Sequence, residues 1–473
     1  MGLSVDVYSP DLRSLLGVLQ ERQVQPAYLE VFRATPTALA AVRKQAGGGL
    51  LTYHGEGLWV TQPEALDDHV FRDDVREVAG HLEILQSAWL NHECAMKHIA
   101  GYSFGTYLPP LYTESSAKVV AVNTCFVQDF LDRHCRLASG ESPLVMLEMP
   151  PLTYFVTGTL PIPTFFRLVT EGAPCGLVLD IGHLWTVYRY SGAWRRSSLA
   201  QFVEEFLDEF PLERVVEIHV AGLAVHEASR AVPFRLVESA AANRLPPWID
   251  AHAAPIPPVL FEMLDQVLGH PSLIGLKGLA LEVDTKPMEL IVEEFDRFSE
   301  RYARVFSVPR TDSAVATADA APTKGRLSAE IRQEVGRAYE RYALVAAGRA
   351  EPEGPEWTGS LACVDELQTY RTLYLPYEIL HWGGDLEAMF PESTRRLGER
   401  GVSLSAFIAF WFREPRPLAH AYDFFLLKIE RFVEFVHEAA PELEAIAGQE
   451  AEELRQAYSQ ANEPAVATTS ERT

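Results

Sequence analysis

Basic residues are the minority in this chain: 41 Lys and Arg stand against 65 Asp and Glu in 473 residues, a formal net charge of −24. An excess of that sign repels phosphate backbones, so a general nucleic-acid binder is excluded and a basic, disordered peptide becomes the better electrostatic partner. Cysteine is scarce too. Its five positions (Cys94, Cys125, Cys135, Cys175, Cys363) are odd in number and lack C-x-x-C spacing, which argues against a disulfide framework or a zinc ribbon and for a reducing cytoplasm. No uninterrupted apolar run approaches the roughly 20 residues of a membrane helix, and the start MGLSVDVYSP has no basic segment leading into an apolar one. Its Met-Gly pair lacks the Ser or Thr that myristoylation needs at position six, where Asp6 stands. A soluble cytoplasmic protein with no membrane partner is the expectation.

Familiar catalytic signatures are also missing. The sequence has no G-x-S-x-G elbow, no G-x-x-x-x-G-K-[ST] loop and no dinucleotide-binding glycine cradle. Its one glycine cluster, AGGGLL at 46–51, precedes a strand and reads as a turn.

What is present is a repeated βα pattern. From Pro26 to about Asp284, short apolar runs alternate with longer helical stretches, as they do around a parallel sheet. Eight runs read as strands: AYLEVF, GLLTYHG, AWLNHE, LVMLEM, GLVLDIG, VVEIHVAG, PWIDAH and IGLKGLALEVD. Most end in a polar or charged residue, the end at which a (β/α)₈ barrel gathers its active site. The predicted fold class is therefore α/β, a TIM barrel over residues 1–306. A Ser/Thr/Ala/Pro-rich stretch at 307–325 reads as a flexible linker. Residues 326–460 show helical spacing and are expected to form a smaller all-helical domain, its core including Phe425, Ile429, Phe432, Val433 and Val436 on one face. Residues 461–473 read as a disordered tail.

The strand ends carry the chemistry. They supply His54, His92, Glu148, Asp180 with His183, His219, Asp250 with His252, and Glu282. So many ionisable groups at one barrel mouth are costly to bury unless cations pair with them. A metal cluster removes that cost, and nitrogen and oxygen donors without thiolate suit iron, manganese or zinc. Each residue alone has a bland reading as a hydrogen-bonded core or surface group. Asp250-x-His252 is more telling, because alternate strand residues share a side. The remaining histidines fall in helices, loops or the second domain, with His98 and His226 placed nearest the site.

In this order the motifs YLEVF, YHGEGL, LNHE with YLPPLYT, MLEMP, VLDIGH, EIHVAG, IDAHAAPIP and LEVD resemble the multinuclear non-haem iron-dependent oxidases, formerly domain of unknown function 692, a family related to the methanobactin-biosynthesis oxidase. The resemblance spans about residues 26–287. It implies a cluster of two or three iron ions in mixed valence, O₂ as co-substrate and a ribosomally made precursor peptide as substrate, commonly modified at cysteine. It also implies that all nine strand-end residues are metal ligands, with Glu148 bridging, Glu30 behind the ligands, and His54, Glu148 and Asp250 at the reacting centre. The chain departs from the family at Met149, where the pattern has Asn after Glu, and at Val283, where it has Arg between Glu and Asp.

An iron-dependent, peptide-modifying oxidoreductase is the leading expectation. The alternatives are a redox-neutral divalent-metal barrel enzyme of the sugar isomerase or phosphoester hydrolase type, and a non-enzymatic binding module. The helical domain is expected either to recognise a leader peptide, or a partner protein that presents one, or only to shield the barrel.

Overall fold

A computed structural model describes residues 1–8, 11–152, 154–231, 245–305, 327–358, 364–418 and 420–462. Eight parallel strands close into a barrel: β1 (Gly2–Val5), β2 (Tyr28–Phe32), β3 (Leu50–His54), β4 (Trp89–Glu93), β5 (Leu144–Glu148), β6 (Gly176–Asp180), β7 (Val215–Val220) and β8 (Gly278–Glu282). They neighbour one another in chain order, and β1 pairs with both β2 and β8 to close the ring. The α/β barrel class is thus the one read from the sequence.

Strand alternation explains where the polar residues go. Leu3, Val31, Leu51, Leu147, Leu179 and Ile218 belong to the large core between the sheet and its helices. Residues of the opposite parity turn into the barrel, where Ser4 donates to Glu30 across 2.8 Å. A period of two therefore builds an apolar outer face and, at the strands' carboxyl ends, a polar interior, with Met146, Val178 and Val216 forming a small separate apolar cluster.

One strand assignment is corrected. PWIDAH is not a barrel strand: Trp248–Asp250 forms a two-stranded antiparallel ribbon with Leu223–Val225. β7 and β8 pair directly, and the eighth barrel strand is Gly2–Val5, which lies before the first repeat read from the sequence. Gly2 is required there, because a Cβ would come within 2.4 Å of the Tyr28 ring. At the ribbon's base a Cβ on Gly222 would come within 2.0 Å of the Ala254 carbonyl, so this close chain approach also needs glycine.

Beyond the barrel, helices include Ala329–Ala346, Leu375–His381, Leu404–Trp411, Phe424–Ala439 and Glu444–Asn462. Their core is shared with the barrel. It combines Met96, Phe104, Leu108, Tyr154 and Phe155 with Tyr342, Tyr370, Ile379, Phe412 and Phe432. The antiparallel hairpin of Met96–Ile99 and Tyr102–Leu108, which extends from the end of β4, carries much of this surface. Trp411 Nε1 donates to the Ser103 carbonyl at 2.8 Å, and Tyr342 donates to the Pro109 carbonyl at 3.0 Å. The stretch read as a linker and the tail beyond Asn462 lie outside the described residues, as does Cys363. Among the described residues no helix is long and apolar enough to cross a membrane.

Candidate metal centre

Each cluster residue is placed by its local structure. His54 and Glu148 are the last residues of β3 and β5, and His219 sits inside β7. Asp180 ends β6 and caps the helix Ile181–Tyr190, its Oδ1 accepting from the His183 N–H at 2.7 Å. That cap fixes His183 in the first helical turn, directly above the strand. Asp250 ends the ribbon, and His252 follows in the turn after it.

Glu148 is the hub. Its Oε2 lies 3.2 Å from His54 Nε2 and accepts from Asn91 Nδ2 at 2.9 Å. Its Oε1 lies 3.5 Å from His219 Nδ1 and 3.6 Å from His183 Nδ1. His219 Nδ1 is also 3.1 Å from Glu282 Oε1, while its Nε2 is 3.2 Å from Glu30 Oε1. His252 Nε2 lies 2.9 Å from Asp250 Oδ2 and 3.3 Å from Glu282 Oε2. Among the described residues, three buried sets hold their potential ligand atoms within 4.8 Å of one another: His54, Glu148 and His219; Glu148, Asp180, His219 and Glu282; and Glu30, Glu217 and His219.

Eight of the nine residues read from the sequence as ligands therefore come together. His92 does not. Its ring nitrogens face the carbonyls of Gly55, at 3.4 Å, and Leu58. Strand parity is the reason: Asn91 and Glu93 face the interior, which turns His92 between them outward.

Carboxylates dominate the electrostatics of the site. Burial opposes charge on the imidazoles, but neighbouring carboxylates outweigh it. His54 is held up to about 10 by Glu93, Glu148 and Glu30, and His183, His219 and His252 stand well above their ordinary value for the same reason. Burial lifts Asp180 and Glu93 to about 7. By contrast, His92 is pushed down to about 4 by burial.

Several buried atoms of ligating type have no hydrogen-bond partner among the described residues: Glu148 Oε1, Asp180 Oδ2, Asp250 Oδ1, Glu282 Oε2 and both nitrogens of His219. Orphaned atoms of ligating type, converging from different strands without thiolate, fit hard or borderline divalent ions. The residues behind them orient the rings. Met149 O accepts from His183 Nδ1 at 2.6 Å, Glu30 faces His219 Nε2, and Asp284 bonds His252 Nδ1.

Some site residues were missed in the sequence. Asn91, Glu93, Glu217 and Asp284 all face the centre or support it. Glu217-x-His219 carries the same alternate-residue signal used for Asp250 and His252. Met149 is fully buried and serves through its carbonyl, and Val283 is fully buried.

Above the cluster opens a cavity of about 970 Å³. Its lining includes Phe32, Lys97, Tyr107, Tyr154, the ribbon residues Leu223–Val225 and, from the helical region, Trp382. Lys97 pairs with Glu56 at 2.5 Å and lies 4.1 Å over the Tyr107 ring. His226 also lines the cavity, whereas His98 bonds Ser103 at 3.0 Å.

A closed parallel barrel with clustered carboxylates and imidazoles at its strand ends defines a TIM-barrel protein with a candidate multi-metal centre. Residues 19–302 match the family described as RiPP precursor modification enzyme MbnB/TglH/ChrH, and the chain belongs to that family, whose enzymes modify ribosomally synthesised precursor peptides. A UPF0276 protein of Paraburkholderia phytofirmans is 30% identical over 188 residues, 39% of this chain and 52% of that protein. The chain thus spans about half of that relative's length. A UPF0276 protein of Caulobacter vibrioides is 22% identical over 236 residues, 50% of this chain and 71% of the other. Among solved structures, endonuclease IV from Thermus thermophilus is similar at a TM-score of 0.36 and 15% identity, over 64% of this chain and 98% of that one.

Proposed function

We propose that this chain holds two or three iron ions at the barrel mouth and uses O₂ to modify a ribosomally made precursor peptide, at cysteine. The observation that carries the reading is the set of unpartnered donor atoms around Glu148, contributed by four strands and the ribbon. His54, Glu148, Asp180, His183, His219, Asp250, His252 and Glu282 would be the ligands, with Glu148 placed to be shared between ions. His54, Glu148 and Asp250 line the cavity and would border the reacting atoms. Iron, when bound, would supply the redox chemistry and the site for O₂.

The chain's own residues supply order and exclusion. Asp284 bonds the ring of His252, Glu30 faces Nε2 of His219 at 3.2 Å, and the Met149 carbonyl fixes the Nδ1–H tautomer of His183, leaving Nε2 for a ligand role. Asp180 holds the His183 backbone through its Oδ1 and keeps Oδ2 available. Phe32, Tyr107 and Trp382 wall the cavity, lowering the local dielectric and limiting water around the reacting residue.

Elemental analysis with oxygen uptake tests this reading, using the precursor peptide as substrate and an anaerobic control. Iron with peptide-dependent oxygen consumption supports it. Undiminished product without oxygen, or zinc or manganese with no oxygen uptake, overturns it in favour of a redox-neutral barrel enzyme.

A further inference from the structure

Among the described residues, the two edges of the ribbon beside the cluster differ in their partners. Ala251 N donates to Gly222 O at 2.9 Å and His226 N to Pro247 O at 3.5 Å, which sets the hydrogen-bonded pairs of the ribbon. Leu223 and Val225 fall between these pairs, so their N–H and C=O groups point away from Trp248–Asp250. On the far side the Trp248 carbonyl is taken by Tyr190 Oη at 2.9 Å. On the near side, the main-chain groups of Leu223 and Val225 make no hydrogen bond among the described residues. Leu223 is buried and Val225 half-buried, and both line the cavity that contains Asp250 and His252. Such an unpaired edge is a template for an added strand.

A second observation comes from the helical region. Trp382, 50% exposed, is a large apolar side chain standing in the same cavity wall. Its backbone is held firmly, because the buried Lys428 ammonium donates to the carbonyls of Leu380, Trp382 and Gly384. An exposed indole on a held stretch of backbone, lining the same cavity as this strand edge, combines a surface for side chains with a surface for main chain.

We propose that the edge Leu223–Val225 receives the substrate peptide as a third, extended strand of the ribbon, with Trp382 packing against a side chain close to the reacting residue. The inference rests on the reading of a peptide substrate. The cavity volume of about 970 Å³ suits several residues of an extended chain rather than the sheet of a folded partner. Asp6 and Asp284 also line the cavity, while its Arg33 and Lys97 are each paired with a glutamate, so residues flanking the bound segment are neutral or basic. The helical region then forms part of the substrate wall.

The test uses a pool of synthetic decapeptides, each with one central cysteine and randomised flanks, passed over the immobilised iron-loaded protein. A retained peptide is remade with an N-methyl group at each main-chain nitrogen in turn. Binding is expected to fall about tenfold at alternate positions and to change little between them, the pattern of a paired strand. Val225→Pro removes one outward donor at an edge position that tolerates proline and should weaken binding to a similar degree, more than Val225→Ala, which shortens the side chain and keeps the donor. Trp382→Ala should weaken every retained peptide. A pool with no retained member, a flat N-methyl scan, or unaltered binding by Val225→Pro overturns the proposal. Alternating sensitivity without any oxygen-dependent product upholds the docking mode and overturns the oxidative reading instead.

Discussion

The Nδ1 of His183 donates to the carbonyl of Met149 across 2.6 Å, placing the imidazole's other nitrogen 3.6 Å from Asp250 Oδ2. A main-chain acceptor serves whatever side chain follows Glu148. Met149→Ala should therefore retain metal, while the cavity it leaves in a fully buried position costs about 2–5 kcal/mol of stability. His183→Gln should lose metal. Elemental analysis beside thermal denaturation of both variants checks the contrast; loss of metal from Met149→Ala would show that its side chain matters.

Glu30 stands behind His219 at 3.2 Å and is itself completely buried. Replacing it by Gln keeps the shape and removes the charge. Metal affinity is expected to fall roughly 10- to 100-fold with the fold intact, the usual effect of losing a partner behind a ligand. Competition titration against a chelator measures this, and an unchanged affinity would mean that Glu30 does not support the ring.

Metal binding should also stabilise the whole barrel, since ligands from separate strands are brought together only in the folded chain. Iron at a hundredfold excess over its dissociation constant adds about 2.7 kcal/mol per site. Melting curves before and after anaerobic chelation should separate accordingly. Coincident curves would contradict a cluster at the strand ends.

Removing the helical region should not yield a well-behaved barrel. Truncation after residue 305 uncovers Met96, Phe104, Tyr154 and Phe155, which lie in the core shared with the helices. Self-association and a lowered melting temperature are expected. A monomeric truncated chain with an unchanged melting temperature would show the two parts to be independent.

Most of the barrel and its centre can be read from the sequence because strand periodicity and polar strand ends are local signals. β1 is harder to see: four residues, GLSV, carry too little pattern, and pairing with the distant β8 is what makes them a strand. PWIDAH has the same apolar-then-polar form as a barrel strand, yet its short strand pairs antiparallel with Leu223–Val225. His92 shows the limit of reading strand ends without their parity. Its neighbours Asn91 and Glu93 face inward, which a stricter use of alternation would have revealed. Trp382 could not be found this way, because its place in the cavity wall depends on packing between regions far apart in the chain.

The most direct measurement is the metal content of the purified chain, taken with oxygen uptake on the same sample. Two or three iron ions per chain, falling below one in Glu148→Gln, with oxygen consumed only when the precursor peptide is present, is the result expected. A chain that binds less than one metal ion, or that binds zinc or manganese and modifies the peptide without oxygen, would contradict it.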